Sequence, residues 1–194
     1  MTRVLITGFE PFGGGTVNPS QRIVDALTGE AETALLPVAY ARAAGALREA
    51  LERSEPDVVV CFGQADGRTG ISVEQFAHNL DGAADADNDG ATSTAEIDPD
   101  GPAAYKSTLP VDEIVAALRD GGIPAAPSRD AGGFLCNHVF YVLMRALERR
   151  PETRGGFVHV PLLPEQALDT NAASMPLDVL VRAARVIVAT CAAR

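Results

Sequence analysis

The chain has 194 residues, of which 46% are hydrophobic and 22% charged, and its formal net charge is −10. This length and composition predict one globular domain over residues 1–194 that needs no disulfide or metal to hold its core. The acidity argues against a nucleic-acid partner, because phosphates require a basic surface. No apolar run approaches the roughly 18–20 residues of a membrane span, so we also expect no membrane partner.

Apolar runs and turn residues alternate along the first half of the chain. Residues 3–8 form an apolar run that ends at a glycine, which predicts a buried strand. A loop rich in glycine and proline follows, and Asn18-Pro19-Ser20 is typical of a helix start, because proline in the first turn lacks only an N–H that would have no partner there. A second helix is predicted over 41–53, and further strands over 34–38, 57–63 and 70–79.

The second half begins with an acidic, glycine-rich stretch over residues 81–104, which lacks periodicity and is predicted to be a long surface loop. After it we predict helices over 111–119, 135–148 and 172–193, and strands over 123–127 and 156–161. The alternation of strands and helices predicts an α/β fold, a single-domain α/β/α sandwich with a mostly parallel, mixed twisted central sheet. Functional groups in such folds gather where strands lead into helices.

The three cysteines are an odd and sparse set without a CxxC pair. We therefore expect no disulfide framework and a cytoplasmic location, which the lack of a signal-peptide pattern at Met1-Thr2-Arg3 also favours. Cys136 begins the helix that follows the Gly132-Gly133 turn, where unpaired N–H groups would favour a thiolate and lower the pKa. The alternative is a small buried hydrophobic side chain. Cys61 lies among valines and is predicted to be core, and Cys191 is predicted to be structural or without a role.

The chain contains only three histidines, His78, His138 and His159. His159 lies near the end of a predicted strand and is the best candidate for a base by elimination. His138 follows Cys136 by two residues on the same helix and should point away from it. His78 has no obvious partner. For each of them a core or surface position without chemistry remains the alternative.

Three blocks of sequence carry the strongest functional signal. The first is GFEPFG over residues 8–13, continued by VNPS over 17–20. The second is GQADGR over 63–68, continued by VEQFAHN over 73–79. The third is AGGFLCN over 131–137, with GFVHVP over 156–161. In these blocks, in this order and over nearly the whole chain, the sequence resembles the pyroglutamyl peptidase I family of cysteine peptidases, also called pyrrolidone-carboxylate peptidases.

The resemblance implies a cysteine exopeptidase that hydrolyses the amide after an N-terminal pyroglutamyl (5-oxoprolyl) residue of peptides or amides, through a thioester. It places the catalytic triad on Glu74, Cys136 and His159, and it implies no cofactor and no metal. The substrate-binding pocket implied for the small, flat, uncharged ring consists of Phe9, Phe12, Gln64, Phe134 and Leu135. For each phenylalanine, a place in the core is the alternative. Family members are often tetramers, so a homo-oligomer is expected.

Two positions depart from the family pattern. Gln75, directly after Glu74, and Ala84 stand where the family usually has arginines, the second of them near the developing oxyanion. Loss of one such donor can lower the rate by about 10²–10³, and Arg68 is a candidate to compensate. Two alternatives therefore stay open, a related thiol amidohydrolase acting on another small amide, and a low-activity homologue that binds pyroglutamyl groups.

Two further patterns match known binding motifs only in part. Asp85, Asp87, Asp89 and Glu96 have the spacing of an EF-hand calcium loop, but the prolines at 99 and 102 disfavour the exiting helix, so we predict an acidic surface loop. The glycines at 8 and 13 have the spacing of a phosphate loop, but Gly14-Gly15 stands where that loop has a lysine and a serine or threonine, so the charge that would bind the phosphates is missing. We therefore predict no nucleotide site.

Overall fold

Eight strands and five helices make up the fold in a computed structural model that describes residues 2–193. The strands are β1 (Val4–Phe9), β2 (Glu32–Leu36), β3 (Val58–Gln64), β4 (Ile71–Glu74), β5 (Phe76–His78), β6 (Ala104–Lys106), β7 (Ala125–Ser128) and β8 (Arg154–Val160). Six of them form one sheet in the order β2-β1-β3-β8-β4-β7. Strands β2, β1, β3 and β8 run parallel, and β4 lies antiparallel to β8 but parallel to β7.

The helices cover both faces of this sheet. They are α1 (Pro19–Leu27), α2 (Tyr40–Ser54), α3 (Val111–Asp120), α4 (Leu135–Leu147) and α5 (Leu177–Ala192). Side chains of α1, α3 and α5 form one hydrophobic cluster with the sheet, and those of α2 and α4 form a second cluster on the opposite face. The predicted α/β/α architecture with a mostly parallel, mixed sheet is confirmed. No helix within residues 2–193 has the length and apolarity needed to cross a bilayer.

The buried strands explain why the sequence forms this sheet. All six residues of β1 are buried, as are the first six of β3, because parallel strands in the middle of a sheet are covered on both faces. The helix start predicted after the glycine-rich loop is also confirmed. Asn18 Oδ1 accepts a hydrogen bond from the Ser20 amide at 3.0 Å, and Pro19 is the first residue of α1. The amide of Phe9 donates to Ser20 Oγ at 2.9 Å, which ties the carboxyl end of β1 to the beginning of α1.

The strand predicted over 70–79 is wrong, because the chain leaves the central sheet at Gln75. Strand β4 ends at Glu74, and β5 pairs instead with β6, a strand that sequence reasoning had placed partly in a loop. The backbone of Gln75 bridges the two sheets, since its N–H donates to Ser128 O (2.7 Å) and its carbonyl accepts from Ser107 N (2.8 Å). The last helix begins at residue 177 rather than 172, because Pro176 disfavours helical backbone in the residue before it.

The segment over 81–104 contains no helix before β6 and is anchored by its own acidic side chains. Asp87 Oδ2 accepts from the Tyr40 amide at the first residue of α2 (2.8 Å), and Oδ1 accepts from the amides of Asp89 (3.0 Å) and Ala91 (2.8 Å). Asp89 forms a two-point ion pair with Arg42. Two of the four residues that have calcium-loop spacing, Asp87 and Asp89, therefore bind the protein itself. Within residues 2–193, no group of three or more His, Cys, Asp or Glu side chains is arranged to hold a metal ion.

Candidate active site

A cavity of about 380 Å³ opens where β1 and β3 end and α4 begins. Its walls come from the glycine-rich loop after β1, the segment after β3, the start of the 81–104 segment and the turn before α4. The five side chains predicted to form a pocket all line it, namely Phe9, Phe12, Gln64, Phe134 and Leu135. Cys136 and His159 line the same cavity. The ring of Phe12 lies 6.0 Å from that of Phe134, so aromatic surface faces the space from two segments.

His159 and Glu74 form a buried pair on neighbouring antiparallel strands. His159 lies opposite Ser72 in the ladder, so Glu74, two residues further along β4, projects from the same face as Ser72. The Nδ1 atom of His159 lies 2.8 Å from Glu74 Oε1, and the two residues are 4% and 0% exposed. Because the carboxylate can only accept, Nδ1 carries the proton and Nε2 is left as the basic nitrogen. Glu74 lies behind His159 and outside the cavity lining.

The thiol of Cys136 packs against β3, the strand that pairs with the His159-bearing strand β8. Cys136 is the second residue of α4 and is half-buried. A Cβ atom added to Gly63 would lie 2.7 Å from Cys136 Sγ, so the sulfur occupies the space that a side chain at this position of β3 would need. Gly63 and His159 are direct partners in the β3–β8 ladder. The absence of a side chain at 63 therefore lets the thiol lie beside the strand that carries the histidine.

The first turn of α4, which contains Cys136, has backbone N–H groups that no side chain caps. Gly132 has a left-handed backbone (φ +78°), and its amide donates to Asp130 Oδ1 at 2.8 Å. Phe134, at the cap position of α4, has no polar side-chain atom that could accept a capping bond, so its side chain leaves the first N–H groups of the helix unoccupied. Donors of this kind stabilise negative charge on a bound group.

The pKa of Cys136 is shifted in the direction opposite to the sequence-based expectation. Burial raises the pKa of the thiol to about 12, and the negative charge of Glu74 adds to this shift. The predicted lowering is therefore wrong, because the thiol has lost hydration and lies near the carboxylate of Glu74. Cys136 is therefore a protonated thiol at neutral pH.

Other cysteines and histidines lie away from this arrangement. Cys61 and Cys191 are both fully buried in the core, which confirms the prediction for Cys61. His138 Nδ1 contacts Asp81 Oδ2 at 3.1 Å, and His78 Nε2 lies 3.1 Å from Arg129 O. Of the three histidines, all of which the structure describes, His159 alone lines the cavity.

Sequence reasoning overlooked several residues that line the cavity, among them Asn18, Val38 and Asp85. Asn18 was interpreted only as a helix cap, yet it is 1% exposed and its Nδ2 donates to Glu10 O at 3.0 Å. The signal that could have marked Asn18 as part of the site was its position in the NPS block. Val38 and Asp85 come from segments distant in sequence, and no local pattern marks them.

The arginine at position 68 and the two departures from the family pattern occupy different places. Arg68 lines the cavity, and its Nη2 lies 3.7 Å from Glu74 Oε1, the oxygen that also contacts His159. Ala84 is exposed and stands between Ala83 and Asp85, which line the cavity, without lining it itself. Gln75 lies outside the lining as well, and its Oε1 accepts from Arg129 Nε at 3.4 Å.

Comparison with known proteins agrees with the geometry. The family model described as pyroglutamyl peptidase matches residues 2–194. The pyrrolidone-carboxylate peptidase of Bacillus subtilis is 46% identical over 98% of this chain and 92% of its own length. That of Streptomyces coelicolor is 46% identical over 99% of this chain and 93% of its own.

Solved structures give the same result. The crystal structure of Bacillus amyloliquefaciens pyroglutamyl peptidase I superposes with a TM-score of 0.98 at 42% identity, covering 100% of this chain and 98% of that one. A mutant pyrrolidone carboxyl peptidase from the hyperthermophile Pyrococcus furiosus gives 0.93 at 36% identity, with 98% of each chain covered. Sequence blocks, fold and cavity thus agree, and the chain belongs to the pyroglutamyl peptidase family.

Proposed function

We propose that this chain is a cysteine peptidase that hydrolyses the amide bond after an N-terminal pyroglutamyl residue, with Cys136 as nucleophile, His159 as general base and acid, and Glu74 as the carboxylate that orients the imidazole. The observation that carries the proposal is the convergence of two features on one cavity. One is the buried His159–Glu74 contact of 2.8 Å. The other is the Cys136 sulfur held against Gly63, the ladder partner of His159. Family membership supports the same reaction.

The first half of the reaction forms a thioester. His159 Nε2 takes the proton of the Cys136 thiol as the sulfur attacks the pyroglutamyl carbonyl carbon, which gives a tetrahedral oxyanion and an imidazolium. Glu74 stabilises that imidazolium and keeps the tautomer that leaves Nε2 free. The oxyanion is stabilised by the N–H groups at the start of α4. The intermediate collapses as the imidazolium protonates the leaving amine.

The second half regenerates the enzyme. His159 takes a proton from water, and the resulting hydroxide attacks the thioester carbonyl. Collapse of the second tetrahedral intermediate expels the sulfur, which recovers its proton from the imidazolium. The products are pyroglutamate and either the peptide shortened by one residue or the free amine. No cofactor takes part.

The cavity suits a pyroglutamyl ring in shape and polarity. Phe9, Phe12, Phe134 and Leu135 supply apolar surface for a small flat ring. Gln64 and Asn18 supply amide groups that can pair with the lactam. A proline ring lacks the lactam carbonyl and would leave buried donors without partners, which is the physical basis for rejecting it.

Cellular setting and assembly are further parts of the proposal. All three cysteines are unpaired, which suits a reducing cytoplasm. We also propose that residues 1–194 fold as a single domain and that the chain forms a homotetramer, as family members often do. Sedimentation of the purified protein tests the assembly, and a mass of one or two chains would contradict it.

One assay tests the reaction itself. Release of a chromophore from a pyroglutamyl amide is compared with release from prolyl and alanyl amides, with and without a thiol reductant. We expect turnover only on the pyroglutamyl amide, a loss of at least about 10⁴-fold in Cys136→Ser, and no loss in the control Cys191→Ala, whose thiol lies in the core away from the cavity. Turnover confined to another amide would favour the related amidohydrolase.

One observation favours a second candidate function, that of a homologue that binds pyroglutamyl groups with little turnover. Ala84 is exposed and does not line the cavity, so no arginine at this position stabilises the oxyanion. Binding of pyroglutamate without release of the chromophore would support it.

A further inference from the structure

Gln166, outside the cavity, is held by two backbone groups of opposite polarity. It ends a 3-10 turn over Pro164–Gln166 that follows β8. Its Oε1 accepts from the amide of Leu163 at 2.9 Å, and its Nε2 donates to the carbonyl of Val17 at 3.1 Å. Because a backbone N–H only donates and a carbonyl only accepts, the side-chain amide of Gln166 has one possible orientation.

That orientation determines the neighbouring amide. The second N–H of Gln166 Nε2 donates to Gln64 Oε1 at 3.0 Å. Gln64 must therefore turn its oxygen towards Gln166, which leaves both N–H groups of its Nε2 without a protein acceptor within residues 2–193. Without Gln166, the amide of Gln64 could rotate by half a turn at little steric cost, since its O and N are nearly equal in size.

The neighbouring amide of Asn18 has a matching polarity. Asn18 Oδ1 accepts from both the amide and the hydroxyl of Ser20, at 3.0 and 2.8 Å, so its oxygen is occupied. Its Nδ2 uses one N–H on Glu10 O, which leaves the other. Both side-chain amides in the cavity wall thus have N–H groups to offer, while their oxygens are directed to Ser20 and Gln166.

We propose that Gln166 is a positioning residue that makes Gln64 present donors to the cavity, and that these donors recognise the lactam carbonyl of the substrate ring. This inference rests on the proposed function. A pyroglutamyl ring carries an acceptor at that position and a prolyl ring carries none. Gln166 therefore acts on substrate discrimination through Gln64 and does not touch the substrate itself.

The test replaces Gln166 by residues that differ in hydrogen bonding but little in size. In Gln166→Glu the atom that faces Gln64 is an acceptor, so Gln64 turns its N–H groups towards it and presents its oxygen to the lactam carbonyl. We expect the KM for a pyroglutamyl amide and the Ki of 2-pyrrolidone to rise by about 10-fold or more, with kcat changed less than about 3-fold. The pyroglutamyl-to-prolyl preference falls in parallel.

In Gln166→Met the amide of Gln64 is free to adopt either orientation. If half of the molecules hold the competent one, KM and Ki rise by only about 2-fold. Because Gln166→Glu also sets a carboxylate oxygen against the carbonyl of Val17, the pyroglutamyl-to-prolyl preference separates the two roles. Positioning predicts that this preference falls more in Gln166→Glu than in Gln166→Met, whereas a purely structural defect lowers turnover of both amides alike. The double variant Glu165→Gln/Gln166→Glu keeps the charge of the turn constant and should behave as Gln166→Glu does.

Thermal unfolding identifies any variant that fails to fold. Wild-type KM and Ki in Gln166→Glu, or an effect of Met equal to that of Glu, would overturn the inference. If Gln166→Glu does not fold, Gln166→Met decides, and unchanged KM and Ki in it overturn the inference. Inactivity of the wild-type chain on every pyroglutamyl amide would instead refute the proposed function.

Discussion

Substitution of Gly63 by alanine tests whether the missing side chain at position 63 is what allows the thiol of Cys136 to lie next to His159. The added Cβ would lie 2.7 Å from Cys136 Sγ and 2.7 Å from Cζ of Phe157. Ordinary contacts are about 3.5–4.0 Å, so the sulfur or the strand must move by about 1 Å. A displacement of that size at a reacting atom can lower the rate by about 10²-fold.

The same overlap predicts a loss of stability. Overpacking of a buried site costs about 1–3 kcal/mol, which for a chain of this size lowers the Tm by about 2–12 °C. The assay is kcat/KM on a pyroglutamyl amide together with thermal unfolding. Gly45→Ala is the matched control, because among the described residues no atom beyond its chain neighbours and the nearby backbone of its own helix lies within 4 Å of its added Cβ, and Gly45 is on the exposed side of α2. The control should keep full activity and be slightly more stable.

A double-mutant cycle assigns the overlap to the sulfur. Cys136→Ala removes Sγ, so Gly63→Ala should cost less stability in that background than in the wild type, while the overlap with Phe157 remains. Full activity of Gly63→Ala would refute the argument that this glycine holds the thiol in place. So would an equal loss of stability in both backgrounds.

Three further predictions follow from the charges around the site. Burial acts to raise the pKa of Asp87. The hydrogen bonds that its carboxylate accepts from three backbone N–H groups outweigh this effect and hold the pKa below its ordinary value. The contribution of ionised Asp87 to the free energy of unfolding is therefore complete above about pH 4 and is lost as the pH falls below that value. Asp87→Asn should cost about 1 kcal/mol at pH 7 and progressively less below pH 4 in urea unfolding, and a difference independent of pH would contradict this. Because the pKa of the Cys136 thiol is raised to about 12, its alkylation by iodoacetamide should accelerate from pH 7 to 9, and a plateau below pH 8 would show a preformed thiolate. If Arg68 compensates for the missing arginine, Arg68→Met should lower kcat by about 10-fold and Ala84→Arg should restore part of it; equal rates in all three proteins would show that neither position matters.

The sequence alone determined the elements whose signals are local. The apolar runs of β1 and β3, the Asn18-Pro19-Ser20 helix start and the glycine turn before α4 each express one short-range preference, so they could be predicted close to their observed bounds. The break at Gln75 could not be predicted. Residues on both sides of it favour strand, and only pairing partners distant in the chain decide which sheet each part joins.

The properties of the site likewise divide into those that local sequence predicts and those that only the tertiary structure decides. Sequence blocks predicted Cys136, His159 and Glu74 as the triad, but the pKa of the thiol depends on burial and on the charge of Glu74, which are properties of the assembled sheet and not of one helix end. The hydrogen bond from Gln166 to Gln64 joins residues 102 positions apart. No periodicity or motif contains such a contact, because it exists only after the sheet brings the ends of β3 and β8 together.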